Sequence, residues 1–165
     1  MEKSHAYVSG PHRFALIETG PALDVVWPYV RDYLDAALKE SVRNELTIER
    51  LHDRIEAGVF LLAVIVRDGA VIGAQVFERG TDPQGRRFVA SVCTGGFDMA
   101  DWLSGLVALG KRLCELHEAE RFVMIGRRGW ERVMHGHGMR IRAVIGVADV
   151  ADIVTDVEFS GLAGE

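Results

Sequence analysis

The sequence predicts a single α/β domain, a mixed and mostly antiparallel central sheet flanked by about four helices. Three observations predict it. Residues 86–139 read as a strand, a double glycine, a long amphipathic helix, a second apolar strand and a short helix closing on Gly138-Met139. Residues 59–67 (VFLLAVIVR) are almost wholly apolar, the pattern of a central strand buried on both faces. Asp68-Gly69 then links that run to another apolar run, the short-range signal of an antiparallel hairpin.

In chain order, residues 1–12 show no periodicity and are expected to form an N-terminal arm. The domain is expected over 13–150, with a C-terminal tail over 151–165. Residues 13–18 (RFALIE) suit a short strand closed by Gly20-Pro21. Val30, Tyr33, Leu34, Ala37 and Leu38 recur at helical spacing and predict a helix to about residue 42. Pro28 is tolerated in a first turn, where its missing N–H has no partner to lose, so the helix is expected to begin between 24 and 27. Its far face, Arg31, Asp32, Asp35, Lys39 and Glu40, is charged. Thr47 is a ready N-cap for a second helix over 48–57, with Leu51 and Ile55 inward and Gly58 as its stop.

Residues 71–78 should return antiparallel to the 59–67 strand. Gly73 within them marks a bulge or a close backbone approach. TDPQG at 81–85 is a looser turn, and 88–93 the next strand. The main helix is expected to begin at Asp98, an N-cap with Asp101 as its acidic first-turn partner. Met99, Trp102, Leu103, Leu106, Leu109, Leu113 and Leu116 form its buried stripe. A strand at 122–125, a short helix around 130–134 and a last strand at 141–147 follow. Residues 148–165 are acidic and weakly patterned. The expected order is β α α β β β α β α β.

Composition removes several classes of function. At 165 residues the chain is the size of one domain with a real core. A formal charge of -5 and a pI near 5.7 argue against general nucleic-acid binding. No apolar run is long enough to span a bilayer, and residues 1–11 lack the apolar core of a signal peptide. The expected setting is therefore cytoplasmic, with no nucleic-acid or membrane partner. Cys93 and Cys114 fit neither a zinc site nor a disulfide framework and are expected to be small apolar fillers. His135-Gly136-His137 has no third ligand placed by the sequence, so no metal site is expected.

The Gly95-Gly96 turn, at the end of a strand and before a helix N-terminus, is a place suited to a ligand. The element order over roughly 14–150 resembles the GCN5-related N-acetyltransferase (GNAT) family of acyl-CoA N-acyltransferases. Two phrases sharpen the resemblance. Gly95, Gly96, Met99, Trp102 and Leu103, then Gly126, Arg127, Gly129, Trp130 and Arg132, look like a divergent branch met in tailed phages and prophages. The resemblance implies an acetyl-CoA or other acyl-CoA donor, an amine acceptor, and ligand contacts at Thr94, Gly95, Gly96, Phe97 and Arg127.

The chain departs from the family pattern at both functional motifs. The family's phosphate-binding turn, Gln/Arg-x-x-Gly-x-Gly/Ala, is here Thr94-Gly95-Gly96-Phe97-Asp98. It lacks the leading Gln or Arg and puts Asp98 and Asp101 in the first helical turn. Carboxylates ~4–6 Å from a pyrophosphate would each repel it by a few kcal/mol before screening, at an effective dielectric of about 20. Arg127 or Arg128 is expected to offset that charge. The family's Asn-x-x-Ala-x-x-x-Tyr falls on Arg127, Trp130 and Met134, and methionine cannot donate the proton that the tyrosine gives to the leaving sulfur.

His135 and His137 are the substitute acids at hand. Glu78 is the candidate base on the strands, and Asp98 the candidate on the main helix. Arg127, Arg128 and Arg132 around Trp130 suit an anion, or a protein partner. Two functions follow. One is acyl transfer from acyl-CoA to an amine. The other is a non-catalytic, pseudoenzyme-like structural or adaptor protein of a tailed-phage particle. It would be located in the virion, its groove filled by Trp130 or Phe97 and its arms gripping phage structural proteins or a second copy. Gly96→Glu is expected to block the turn while leaving the fold intact.

Overall fold

The computed structural model describes residues 6–17, 19–41, 46–124 and 128–139. Among these, six strands form one sheet in the order β1-β2-β3-β4-β5-β6. The strands are β1 (Ala6–Ser9), β2 (His12–Ile17), β3 (Phe60–Arg67), β4 (Ala70–Thr81), β5 (Arg87–Gly96) and β6 (Arg121–Met124). Neighbours from β1 to β5 pair antiparallel, while β6 joins β5 in parallel. The helices are α1 (Pro21–Lys39), α2 (Ile48–Glu56), α3 (Met99–Leu116) and the two-turn α4 (Arg128–His135). The expected α/β class with a mixed, mostly antiparallel sheet is the one observed. The last expected strand (141–147) and the tail (148–165) lie outside the described residues.

Strand alternation builds two cores. Leu62 and Val64 of β3 and Ala74 and Val76 of β4 face α1 and α2, joining Leu23, Val30, Leu34, Leu51 and Ile55. Ala63 and Ile65 of β3 and Phe77 of β4 face α3, joining Phe14, Trp102, Leu106, Leu109 and Leu113. That two-sided burial is why β3 reads as an unbroken apolar run. Asp68 and Gly69 both adopt positive φ, 51° and 77°, the type I′ geometry that matches strand twist. Thr47 caps α2, its hydroxyl accepting from the Arg50 N–H at 3.3 Å, and Gly58 follows at φ 70°.

Three local expectations are corrected. Residues 6–9 of the supposed arm are β1, paired with β2 through a tight link at Gly10 (φ 57°). A four-residue edge strand is too short to show a period. α1 starts at Pro21, so Pro28 lies inside it. Pro28 and Asp24 are both exposed, so the carbonyl left without its helical partner is on the solvent side. Burial of Leu23, Val30, Leu34 and Leu38 outweighs that lost bond. Asp98 is at the N-cap position of α3, but in the left-handed region (φ 50°) and without a capping bond from its side chain. Leu116, expected in the α3 stripe, is 45% exposed.

Candidate active site

The sheet changes character along β5. Among the described residues, its parallel ladder with β6 runs from Phe88↔Arg121 to Ser91↔Met124. β5 continues to Gly96, without a partner on that side among the described residues. The β4–β5 register slips at the same place. Val76 pairs with Cys93 and Phe77 with Ser91, leaving Val92 as the extra residue of a bulge. A bulge bends a strand and re-aims its side chains. Here it follows directly on the last β5–β6 pair among the described residues.

A buried polar chain crosses this point. Gln75 is fully buried and Ser91 is 5% exposed. The Gln75 amide donates to Ser91 Oγ at 2.8 Å and to the Val76 carbonyl at 2.6 Å, and the Thr94 hydroxyl donates to Gln75 Oε1. Alternation puts this chain on the α3 side of the sheet with Phe77.

The double glycine is strand, not turn. Gly95 pairs with Ala74 and Gly96 with Gly73. A Cβ on Gly95 would strike the Tyr33 carbonyl of α1, and one on Gly96 the Ile72 carbonyl of β4. Gly73 has a matching cause: Ile72 is the extra residue of a bulge, and a Cβ on Gly73 would lie 2.9 Å from the Trp102 ring. Close packing of α1, β4 and α3 therefore accounts for all three glycines. Beyond Gly96, the Phe97 N–H donates to the Ile72 carbonyl at 2.8 Å. The Phe97 carbonyl accepts from Trp102 Nε1 at 2.7 Å. The Phe97 ring is 62% exposed and stands edge-on to Tyr33, with centroids 5.3 Å apart.

The acids at the start of α3 already have a cation. Arg67, the last residue of β3, meets Asp98 Oδ2 at 2.8 Å and Asp101 Oδ2 at 3.9 Å. The hydrogen bond to Asp98 raises the Arg67 pKa further above its ordinary value. The sequence points to Arg127 or Arg128 for this offset. Arg127 lies outside the described residues, and so does the Arg128 side chain.

An acetyltransferase from Trypanosoma brucei superimposes on 84% of this chain and 99% of its own, with a TM-score of 0.62 at 9% identity. A predicted acetyltransferase with acetyl-CoA from Clostridium acetobutylicum matches 86% of this chain and 98% of its own, with a TM-score of 0.62 at 5% identity. A GNAT family acetyltransferase from Staphylococcus aureus matches 82% and 97%, with a TM-score of 0.58 at 9% identity. The chain has the GNAT fold. At these identities the likeness is one of fold. No family model and no curated sequence matches the chain.

Within the GNAT fold the expected site residues fall into separate places. Thr94, Gly95 and Gly96 are on β5 past the parting from β6, and Phe97 follows them. Glu78, half-buried on β4, is opposite Ala90 of β5 and shares the α1–α2 face with Val76. It is therefore one position along from Ser91 but on the other face. His135 and His137 are exposed, and neither bonds to residues 94–97 among the described residues. Met134 anchors α4, 5% exposed in the α3-side core with Trp130 packed against it. Gly138 (φ 78°) closes the helix, with the Met139 N–H returning to the Met134 carbonyl.

Other clusters are apart from the parting of β5 and β6. His52, Asp53 and Glu56 bring ligand atoms within 4.8 Å of one another on the outside of α2. A recess of about 440 Å³ at the start of β5 is lined by Arg79, Arg87, Phe88 and His117. Burial, and then the charge of Arg79, holds the His117 pKa below its ordinary value. Among the described residues, no helix is long and apolar enough to cross a membrane.

Both cysteines are buried and free. Burial alone pushes the Cys93 thiol up to about 12, and its Sγ lies 3.6 Å from the Leu34 carbonyl. A thiol so poor in thiolate is a poor nucleophile. Neither cysteine is expected to react with Ellman's reagent in native protein at pH 7, while both react in urea. Rapid native labelling of Cys93 would contradict the packing of α1 on β5.

Proposed function

We propose that the protein is an acyl-CoA-dependent N-acyltransferase. The thioester would enter where β5 parts from β6, and the amine would approach from the α1–α2 face. The supporting observation is that the Val92 bulge follows directly on the last described β5–β6 pair. It frees backbone from the β4 ladder where β5 begins to run without a neighbour among the described residues. The donors there suit a thioester, a neutral group that needs hydrogen bonds rather than charge. Its phosphate end would lie near residues 94–97 and the start of α3, with Arg67 as the cation in reach and Arg127 as a further candidate. Glu78, on the opposite face, is the base that would take the amine proton. His135 at the end of α4 and His137 just beyond it are the titratable groups at hand where the family has a tyrosine.

A second reading is a non-catalytic GNAT-like structural or adaptor protein, including one of a tailed-phage particle. It is favoured by Asp98 and Asp101 at the helix end that would otherwise take phosphate, and by Met134 buried where the tyrosine would stand. Isothermal calorimetry with acetyl-CoA separates the two. The enzyme reading expects saturable binding at or below about 100 µM, roughly -5.5 kcal/mol. No heat at millimolar ligand would overturn it and direct the search to a protein partner.

A further inference from the structure

Gln75 uses all its hydrogen-bonding groups inside the sheet. Its amide hydrogens go to Val76 and Ser91, and its oxygen accepts from Thr94. Ser91 Oγ is thereby fixed as an acceptor. Its own O–H has no acceptor among the described residues, although Ser91 is 5% exposed. A buried hydroxyl proton without an acceptor is a costly feature unless something arrives to take it. Among the described residues, Ser91 is also the last residue of β5 paired with β6.

We propose that the Ser91 hydroxyl donates a hydrogen bond to the thioester carbonyl oxygen of the acyl donor, with Gln75 and Thr94 as its positioning residues. This rests on the acyltransferase reading and adds the group that contacts the reacting carbonyl. In the transfer, the amine nitrogen bonds to the acyl carbon and gives its proton to Glu78. The C–S bond breaks, and its electron pair leaves on sulfur. Negative charge gathers on the carbonyl oxygen on the way. A donor already placed there, on a buried residue, stabilises that charge more than it stabilises the ground state.

The test is isotope-edited infrared spectroscopy of acetyl-CoA labelled with ¹³C at the thioester carbonyl, bound to the wild type, Ser91→Ala, Ser91→Thr and Thr94→Val. The carbonyl stretch should fall on binding to the wild type and to Ser91→Thr. It should return toward the free value in Ser91→Ala and part-way in Thr94→Val. With an acceptor amine, Ser91→Ala should lower kcat by about 10²-fold while leaving KM for acetyl-CoA within about threefold. If Ser91→Ala melts below the assay temperature, the part-way return in Thr94→Val, absent in Ser91→Thr, carries the reading. Bound acetyl-CoA with one carbonyl frequency in all four proteins would overturn the role of Ser91 and leave the acyltransferase reading standing. Absence of binding to the wild type would overturn both.

Discussion

Gly95→Ala is expected to destabilise the protein by about 3 kcal/mol, the upper end for overpacking, and to lower Tm by roughly 6–12 °C. The added methyl would meet the carbonyl oxygen, carbonyl carbon and Cβ of Tyr33, the first two of them main-chain atoms in the middle of α1. A helix backbone cannot turn aside as a side-chain tip can. The whole of α1 would have to lift from β5, loosening Leu34 and Cys93 together. Gly129→Ala is the control: nothing lies within 4 Å of a Cβ there, and in the first turn of α4 alanine should be neutral or stabilising by up to about 1 kcal/mol. Urea or thermal melts read both. A Gly95→Ala protein melting with the wild type would mean that α1 does not rest on the β5 backbone. Gly96→Glu, on sequence a clean block of a turn, is not clean. Gly96 is in the sheet at φ 146°, against the Ile72 carbonyl, so its substitution disturbs β4–β5 pairing before it reaches any ligand.

The fold was legible where its causes are local. Asp68-Gly69 needs only two positive-φ residues between apolar runs. The α2 cap needs only Thr47, and the α3 stripe only its spacing. Legibility failed where distant contacts decide. Pro28 argued for a later helix start, yet Leu23 is buried one turn before it and draws the helix back to Pro21. Gly95-Gly96 reads as a turn in sequence because glycines usually mark turns. It is strand because Tyr33, Ile72 and Trp102 come close enough to exclude any side chain from Gly95, Gly96 and Gly73.

The candidate site was less legible than the fold. Joining Gln75 to Ser91 and Thr94 requires the antiparallel register and the position of the Val92 bulge, neither of which is written in spacing. The signal available was the intrusion of Gln75 into VIGAQVF, and of Ser91 and Thr94 into VASVCT. Polar residues in runs otherwise fit for burial need partners, and these three partner one another. Arg67 gives no signal in the sequence because it ends a strand, where charge is ordinary. Its meaning comes from α3, whose N-terminus folds back beside it.

Arg67→Ala is expected to weaken acetyl-CoA binding by about tenfold or more, and Asp98→Asn with Asp101→Asn to strengthen it by about tenfold. Both follow from one competition. A helix N-terminus favours an anion, and here the anions at hand are the chain's own carboxylates, held by Arg67. An incoming pyrophosphate must share that guanidinium with them. Removing the acids frees the cation and ends the repulsion. Asparagine also suits the left-handed backbone at position 98, so the change should leave the fold unharmed. The groups are partly exposed, so the gain should shrink in 1 M salt, where screening acts within about 3 Å. Calorimetry at low and high salt on the three proteins decides it. If Arg67→Ala binds as the wild type does, the phosphate end does not lie at α3. If neutralising both acids leaves affinity unchanged while Arg67→Ala abolishes it, Arg67 contacts the ligand free of the carboxylates, and the competition is not the cause.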